Sequence, residues 1–275
     1  MGAGIAEVCA RAAMEVTVVE RDTKRAEATQ QAIERSTGRA ARSGKLDPAA
    51  RAQALDRLTY TTEIEQLAGA DLAIEAITES ESAKREIFRA LDQVLPKAGF
   101  LATNTSSVPV MKLAAETARP ERVLGLHFFN PVPVMRLVEV VRSIMTSDAV
   151  LADAKAFVGK LGKQTIDSQD RAGFVVNALL VPYLLSAIRM YESGFASKED
   201  IDHGMVLGCA HPMGPLALSD LIGLDTLQSV AESMYDEFGE PSYLPPPLLN
   251  RMVEAQLLGR KVGRGFYSYG TLRAA

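Results

Sequence analysis

His127 and Glu139 are the two residues whose types and spacing point most directly to chemistry. Each sits in an apolar, β-rich run, Gly125-Leu126-His127-Phe128 and Leu137-Val138-Glu139-Val140-Val141, and the segment between them carries Pro131 and Pro133. Position 133 is midway between 127 and 139, so two strands folding back about Pro133 bring the imidazole opposite the carboxylate. A carboxylate in that place fixes the tautomer of the ring and raises its basicity, as a general base requires. An isolated histidine is more often structural, and His203 and His211 take that reading.

Thr103-Asn104-Thr105-Ser106-Ser107 follows another apolar run. In an open α/β sheet ligands bind beyond the carboxyl ends of the strands, which would turn these side chains toward the site that His127 faces. The same residue types also bond readily to their own backbone, so a simple turn cap stays open. Asn177 lies among apolar neighbours in Gly173-Phe174-Val175-Val176-Asn177-Ala178. Such an amide must find a partner or carry a desolvation cost of about 1–3 kcal/mol. It either bonds within the core or points into an interdomain cleft to hold a substrate oxygen.

The elements that must position these groups follow from the apolar pattern. Strand-like runs at residues 15–20 (EVTVVE), 71–77 (DLAIEAI), 99–103 (GFLAT) and 122–128 (RVLGLHF) alternate with helical stretches such as 82–95. Several runs are continuously apolar, as in strands of a parallel sheet covered on both faces. From about Arg171 apolar residues recur at helical spacing through 172–192, 198–207, 216–238 and 248–258, with Gly and Pro at the joints. The expected organisation is therefore α/β: a Rossmann-type domain over residues 1–168, followed by an all-α domain over 169–275.

Composition bounds the function classes. With 275 residues, 47% apolar and 23% charged, the chain reads as globular and of a length for two modest domains. A net charge of -4 with no dense basic run argues against nucleic acid. Cys9 and Cys209 form neither a metal spacing nor a disulfide framework, and both are expected to be buried structural thiols in a reducing cytoplasm. The longest apolar run, residues 174–188, is interrupted by Asn177, Pro182 and Ser186 and is shorter than the roughly 20 residues that cross a bilayer. No metal site and no membrane partner are expected.

The opening Met1-Gly2-Ala3-Gly4-Ile5-Ala6 runs into a helical pattern and then a strand ending at Glu20. This matches the later part of a dinucleotide-binding βαβ unit, in which glycines let backbone amides approach a pyrophosphate and an acid holds the ribose hydroxyls. The better register makes Gly2 the last glycine of the fingerprint. On that register the first strand and two earlier glycines are missing, and the natural start is expected upstream of Met1. A chain beginning at Met1 is expected to be destabilised or unable to hold dinucleotide. A flexible N-terminus before an ordinary helix is the alternative.

Taken in order, Gly2-x-Gly4-Ile5-Ala6, Ile74-Glu75-Ala76-Ile77-x-Glu79, Asn104-Thr105-Ser106-Ser107, His127-Phe128-Phe129-Asn130-Pro131-Val132-Pro133, Gly173-Phe174-Val175-x-Asn177, His211-Pro212-Met213-Gly214-Pro215, Asp220-x-x-Gly223-Leu224-Asp225 and Gly263-x-Gly265-Phe266-Tyr267 resemble the (3S)-3-hydroxyacyl-CoA dehydrogenases over essentially the whole chain. The similarity is greatest to the short monofunctional 3-hydroxybutyryl-CoA type. The resemblance implies His127 as catalytic base, Glu139 as its orienting carboxylate, and Ser106 and Asn177 as donors around the reacting oxygen. It implies Gly2 and Glu20 on the pyrophosphate and ribose, and Glu79, Lys84, Asn104 and Lys261 on the nicotinamide side. Ser36, with Arg39, Arg42 and Lys45 nearby, matches the stretch that receives coenzyme A, though those basic residues could equally be a solvated helical face. NAD is the expected cofactor because Glu20 repels a 2′-phosphate, with NADP left open by Arg21. The helical half resembles the family's dimerisation domain, so an acyl-CoA substrate and a homodimer are implied. The alternatives are an impaired coenzyme A or nucleotide-binding relative and a dehydrogenase of a hydroxy acid not bound to coenzyme A.

Overall fold

The short apolar runs become strands and the amphipathic segments become helices in a computed structural model that describes residues 1–270. Two compact units divide at Arg171 and Ala172. In the first, the elements are α1 (Gly2–Arg11), β1 (Val16–Val19), α2 (Thr23–Arg42), α3 (Pro48–Asp56), β2 (Leu58–Thr61), β3 (Leu72–Glu75), α4 (Glu81–Val94), β4 (Phe100–Thr103), α5 (Val110–Ala114), β5 (Val123–Phe128), β6 (Leu137–Arg142), α6 (Asp148–Lys160) and β7 (Gln164–Gln169). The four expected strand runs each contain one observed strand, trimmed at the ends. β2 falls outside them: Leu58 is its only aliphatic residue, and no continuous apolar run marks it.

β3, β4 and β5 run parallel, β6 returns antiparallel beside β5, and β7 runs parallel to β6, giving the order β3-β4-β5-β6-β7. β1 and β2 form a separate parallel pair. Every residue of β4 and β5 is buried, which is why both read as unbroken apolar runs. Ile5, Val8 and Cys9 of α1 and Val150, Ala154, Phe157 and Val158 of α6 pack with Phe100, Ala102, Leu124, Leu126, Val138 and Val140 of the sheet. Each large aliphatic or aromatic side chain fully buried there contributes about 1.5–3 kcal/mol. This core holds the carboxyl ends of β3, β4 and β5 in fixed relation, and those ends carry Glu75, Thr103 and His127.

The second unit is helical: α7 (Val176–Glu192), α8 (Lys198–Cys209), α9 (Pro215–Ile222), α10 (Leu224–Phe238) and α11 (Pro247–Glu254). The helix expected from 172 begins at Val176, because Gly173 and Phe174 both take positive φ, 81° and 48°. The single helix expected over 216–238 is two, broken at Gly223, whose φ of 102° only glycine adopts without strain. Asp202 accepts from the backbone N–H groups of Leu216 and Ala217 and so caps α9 from α8. Asp220 accepts from Phe266 N, Tyr267 N and the Tyr269 hydroxyl, tying down the Gly263–Tyr267 motif, and burial pushes its carboxyl up against the pull of those donors. No helix among the described residues is long and apolar enough to cross a membrane.

The thiols differ from the expected buried pair. Cys9 lies in the core, and burial pushes its pKa up to about 12, whereas Cys209 is exposed at the last residue of α8. Only the thiolate is nucleophilic. A colorimetric thiol reagent at neutral pH should therefore label Cys209 in the native protein and Cys9 only after unfolding. Equal labelling of both thiols in the native state would contradict this burial.

Candidate active site

β5 and β6 meet with His127 directly opposite Glu139, the register that folding about Pro133 predicts. His127 Nδ1 lies 2.6 Å from Glu139 Oε2, and His127 Nε2 lies 3.1 Å from Ser106 Oγ. The carboxylate is 0% exposed and the histidine 5%. An ionised carboxylate can only accept, so the ring hydrogen sits on Nδ1 and the Nε2 lone pair faces the Ser106 hydroxyl. The Phe129 ring stands edge-on to the imidazole at a centroid separation of 4.8 Å. This arrangement can take up a proton at Nε2 while the buried carboxylate stabilises the cation that forms.

Ser106 is held through its backbone. One oxygen of Glu79 accepts from the Thr105 hydroxyl, from Ser106 N at 2.8 Å, from Ser107 N at 3.0 Å and from Ser107 Oγ at 2.9 Å. Its other oxygen lies 3.2 Å from the Lys84 ammonium. Asn104 Oδ1 accepts from Phe128 N at 2.9 Å, which fastens this turn to β5 beside His127. Glu79 and Asn104, both expected near the reacting end of the cofactor, thus also brace the Ser106 turn.

Burial works to raise the pKa of Glu79, but the Lys84 charge and the bonds from Thr105, Ser106 and Ser107 outweigh it and hold the carboxyl below its usual 4.5. A carboxyl depressed on folding stabilises the native state above its unfolded value, and that contribution disappears as pH falls through the folded one. Thermal melts of the wild type and Glu79→Gln should therefore differ by a constant amount in the neutral range and converge below pH 4.5. A gap that does not change with pH would show that the Glu79 charge is not what braces the turn.

Residues 1–171 match the family model described as 3-hydroxyacyl-CoA dehydrogenase, NAD binding domain, and residues 173–269 match its C-terminal domain. The chain belongs to the 3-hydroxyacyl-CoA dehydrogenase family. A Mycobacterium tuberculosis 3-hydroxybutyryl-CoA dehydrogenase is 57% identical over 272 residues, covering 98% of this chain and 95% of its own. A protein from Bacillus subtilis named a probable 3-hydroxybutyryl-CoA dehydrogenase is 43% identical over 98% of this chain and 94% of its own. Among solved structures, Mycobacterium tuberculosis FadB2 superposes with a TM-score of 0.96 at 56% identity, covering 98% of this chain and 95% of that one. The (S)-3-hydroxybutyryl-CoA dehydrogenase PaaH1 of Ralstonia eutropha gives 0.91 at 43% identity, covering 98% and 96%. The protein is thus an oxidoreductase acting on CH–OH groups, with a Rossmann-type domain for a nicotinamide dinucleotide followed by a helical domain.

The first unit includes a helix N-terminus after Met1 and an acid after β1, placed as a dinucleotide-binding fold places them. α1 opens at Gly2 with no side-chain cap, and Gly4 N donates to the Met1 carbonyl at 2.9 Å, so an anion at this end would meet the N–H groups of Gly2 and Ala3. A Cβ on Gly4 would come 2.9 Å from the Val132 Cβ, so that glycine serves close packing of α1 on the segment after β5. Glu20 follows β1, half-buried, and accepts from Thr29 Oγ1 at 2.6 Å. Ser36 is half-buried on α2, with Arg39, Arg42 and Lys45 exposed. Lys84 is 0% exposed, its ammonium shared between Glu75 and Glu79. Asn177 and Lys261 belong to the second unit: Asn177 is half-buried in the first turn of α7, and Lys261 is paired with Asp225. His203 is exposed on α8, and His211 pairs with the Tyr183 hydroxyl at 3.2 Å. Among the described residues no cluster of His, Cys, Asp and Glu could hold a metal ion. Glu75 had no place among the expected site residues, and Thr103 and Thr105 were named only as members of the polar cluster after the third apolar run. The signal for Glu75 was its charge inside the apolar run Leu72-Ala73-Ile74-Glu75-Ala76-Ile77.

Proposed function

We propose that the protein interconverts (3S)-3-hydroxyacyl-CoA and 3-oxoacyl-CoA with NAD, acting on the short 3-hydroxybutyryl-CoA and acetoacetyl-CoA pair in fatty acid and butanoate metabolism. The observation that carries this reading is the buried His127–Glu139 pair with Ser106 Oγ at the second ring nitrogen, Nε2. The chemistry supplied by bound NAD is acceptance of the hydride from C3 of the acyl chain. His127 Nε2 takes the proton of the 3-hydroxyl, and Glu139 stabilises the resulting imidazolium through Nδ1, so that an alkoxide does not form unassisted. Ser106 serves as a donor to the reacting oxygen, contributing about 3 kcal/mol in the manner of an oxyanion-hole group. In reduction the imidazolium returns the proton to the ketone.

The choice of NAD over NADP rests on the Glu20 carboxylate, which repels a 2′-phosphate, and on Arg21, whose guanidinium donates to Asp22 at 2.9 Å. Ser36 and the cations after it receive the coenzyme A end of the substrate. The substrate class follows the names of the 57% and 43% identical relatives. Leu179, Phe195 and Leu207, at 75%, 78% and 82% exposure, support a homodimer through the helical unit. Two thiols outside any disulfide support action in a reducing compartment, the cytoplasm.

The test is loss of NADH absorbance with acetoacetyl-CoA, with free acetoacetate and NADPH as comparisons. A rate confined to the thioester, with kcat/KM favouring NADH, is expected. Turnover of the free acid alone, or preference for NADPH, would overturn the substrate or cofactor assignment respectively.

A further inference from the structure

Glu75 is an acid at the last position of β3, 4% exposed. A carboxylate taken out of water costs several kcal/mol unless paired and hydrogen-bonded, and an apolar residue would serve a buried strand better. Its partners account for its presence. Lys84 Nζ reaches both its oxygens, at 2.8 and 3.0 Å, Thr103 Oγ1 donates at 2.7 Å, and Ile77 N donates at 2.6 Å.

Two of these contacts lead onward to one place. Thr103, opposite Glu75 in the β3–β4 register, accepts from Thr105 N at 3.2 Å. Lys84 bridges to Glu79, the carboxylate that gathers the N–H groups of Ser106 and Ser107. The backbone oxygen of Glu75 also accepts from Asn104 N at 2.8 Å. The turn that aims Ser106 Oγ at His127 Nε2 thus hangs from a single buried carboxylate by separate routes.

We propose that Glu75 is a positioning residue: its charge, through Lys84 and Thr103, sets the 103–107 turn that holds the Ser106 hydroxyl at the base. This rests on the reading of His127 as base and Ser106 as donor to the reacting oxygen. A misplacement near 1 Å at a reacting centre costs up to about 100-fold in rate. Glu75→Gln keeps the shape and removes the charge. Its kcat per folded site should fall about 10- to 100-fold, with KM for acetoacetyl-CoA within about twofold. A merely structural role would lower the melting temperature and the folded fraction while leaving kcat per folded site unchanged.

Should Glu75→Gln not fold, Thr103→Val cuts one route with the ion pair intact and should lower kcat about 3- to 10-fold at unchanged KM. A crystal structure of whichever variant folds gives a readout independent of turnover. Ser106 Oγ should leave its position 3.1 Å from Nε2. The proposal is overturned if Ser106 stays in place, or if kcat per folded site stays within twofold. A wild type inactive on the thioester would instead overturn the dehydrogenase reading, and the Ser106 position would still decide the role of Glu75.

Discussion

Replacing His127 by glutamine should lower kcat by about 10²- to 10⁴-fold, the range that a positioned general base contributes. Glutamine is the informative choice because its amide can still donate to the buried Glu139, which would otherwise be left without the bond it now makes at 2.6 Å. The loss should fall on kcat, with KM for either substrate within a few-fold, because a proton transferred only in the reaction adds nothing to ground-state binding. Steady-state NADH oxidation, with a melting curve to confirm folding, measures it. A folded variant retaining more than a tenth of wild-type kcat would remove His127 from the chemistry.

Glu139→Gln should cost a comparable factor for a different reason. An ionised Glu139 favours the tautomer with its hydrogen on Nδ1 and a lone pair on Nε2, but a glutamine amide can donate into Nδ1 and favour the opposite tautomer. The ring then presents N–H where a lone pair is required. In serine-protease triads the equivalent loss of the orienting charge costs about 10⁴-fold. Here it is expected to lie at about 10²- to 10⁴-fold in kcat, and the His127→Gln, Glu139→Gln double variant should be little worse than His127→Gln alone. The two rate losses multiplying in the double variant would mean that Glu139 acts independently of the imidazole.

The pair itself was legible in the sequence because it depends only on strand register. A turn centred on Pro133 places residue 127 against residue 139 whatever else the fold does, and the β5–β6 pairing has that register. Ser106 was legible as part of a polar cluster beyond a strand end, though not as the residue at 3.1 Å from Nε2, since the turn geometry depends on Glu79 from 27 positions earlier. Glu75 shows the limit in the other direction. An acid in an apolar run announces a buried charge, but its partners Lys84 and Thr103 come from a different helix and a different strand. The break at Gly223 escaped because apolar spacing continues across it and only the backbone angle changes. Cys209 was misread because burial at a helix end is decided by what packs there, not by residue type.

The most direct measurement is the pH dependence of kcat/KM in both directions, oxidation of 3-hydroxybutyryl-CoA with NAD and reduction of acetoacetyl-CoA with NADH. Oxidation needs the neutral imidazole and should fall toward acid, reduction needs the imidazolium and should fall toward alkali, and both limbs should vanish from the residual activity of His127→Gln. Limbs on the same side in both directions, or limbs that persist in the variant, would contradict proton transfer through His127.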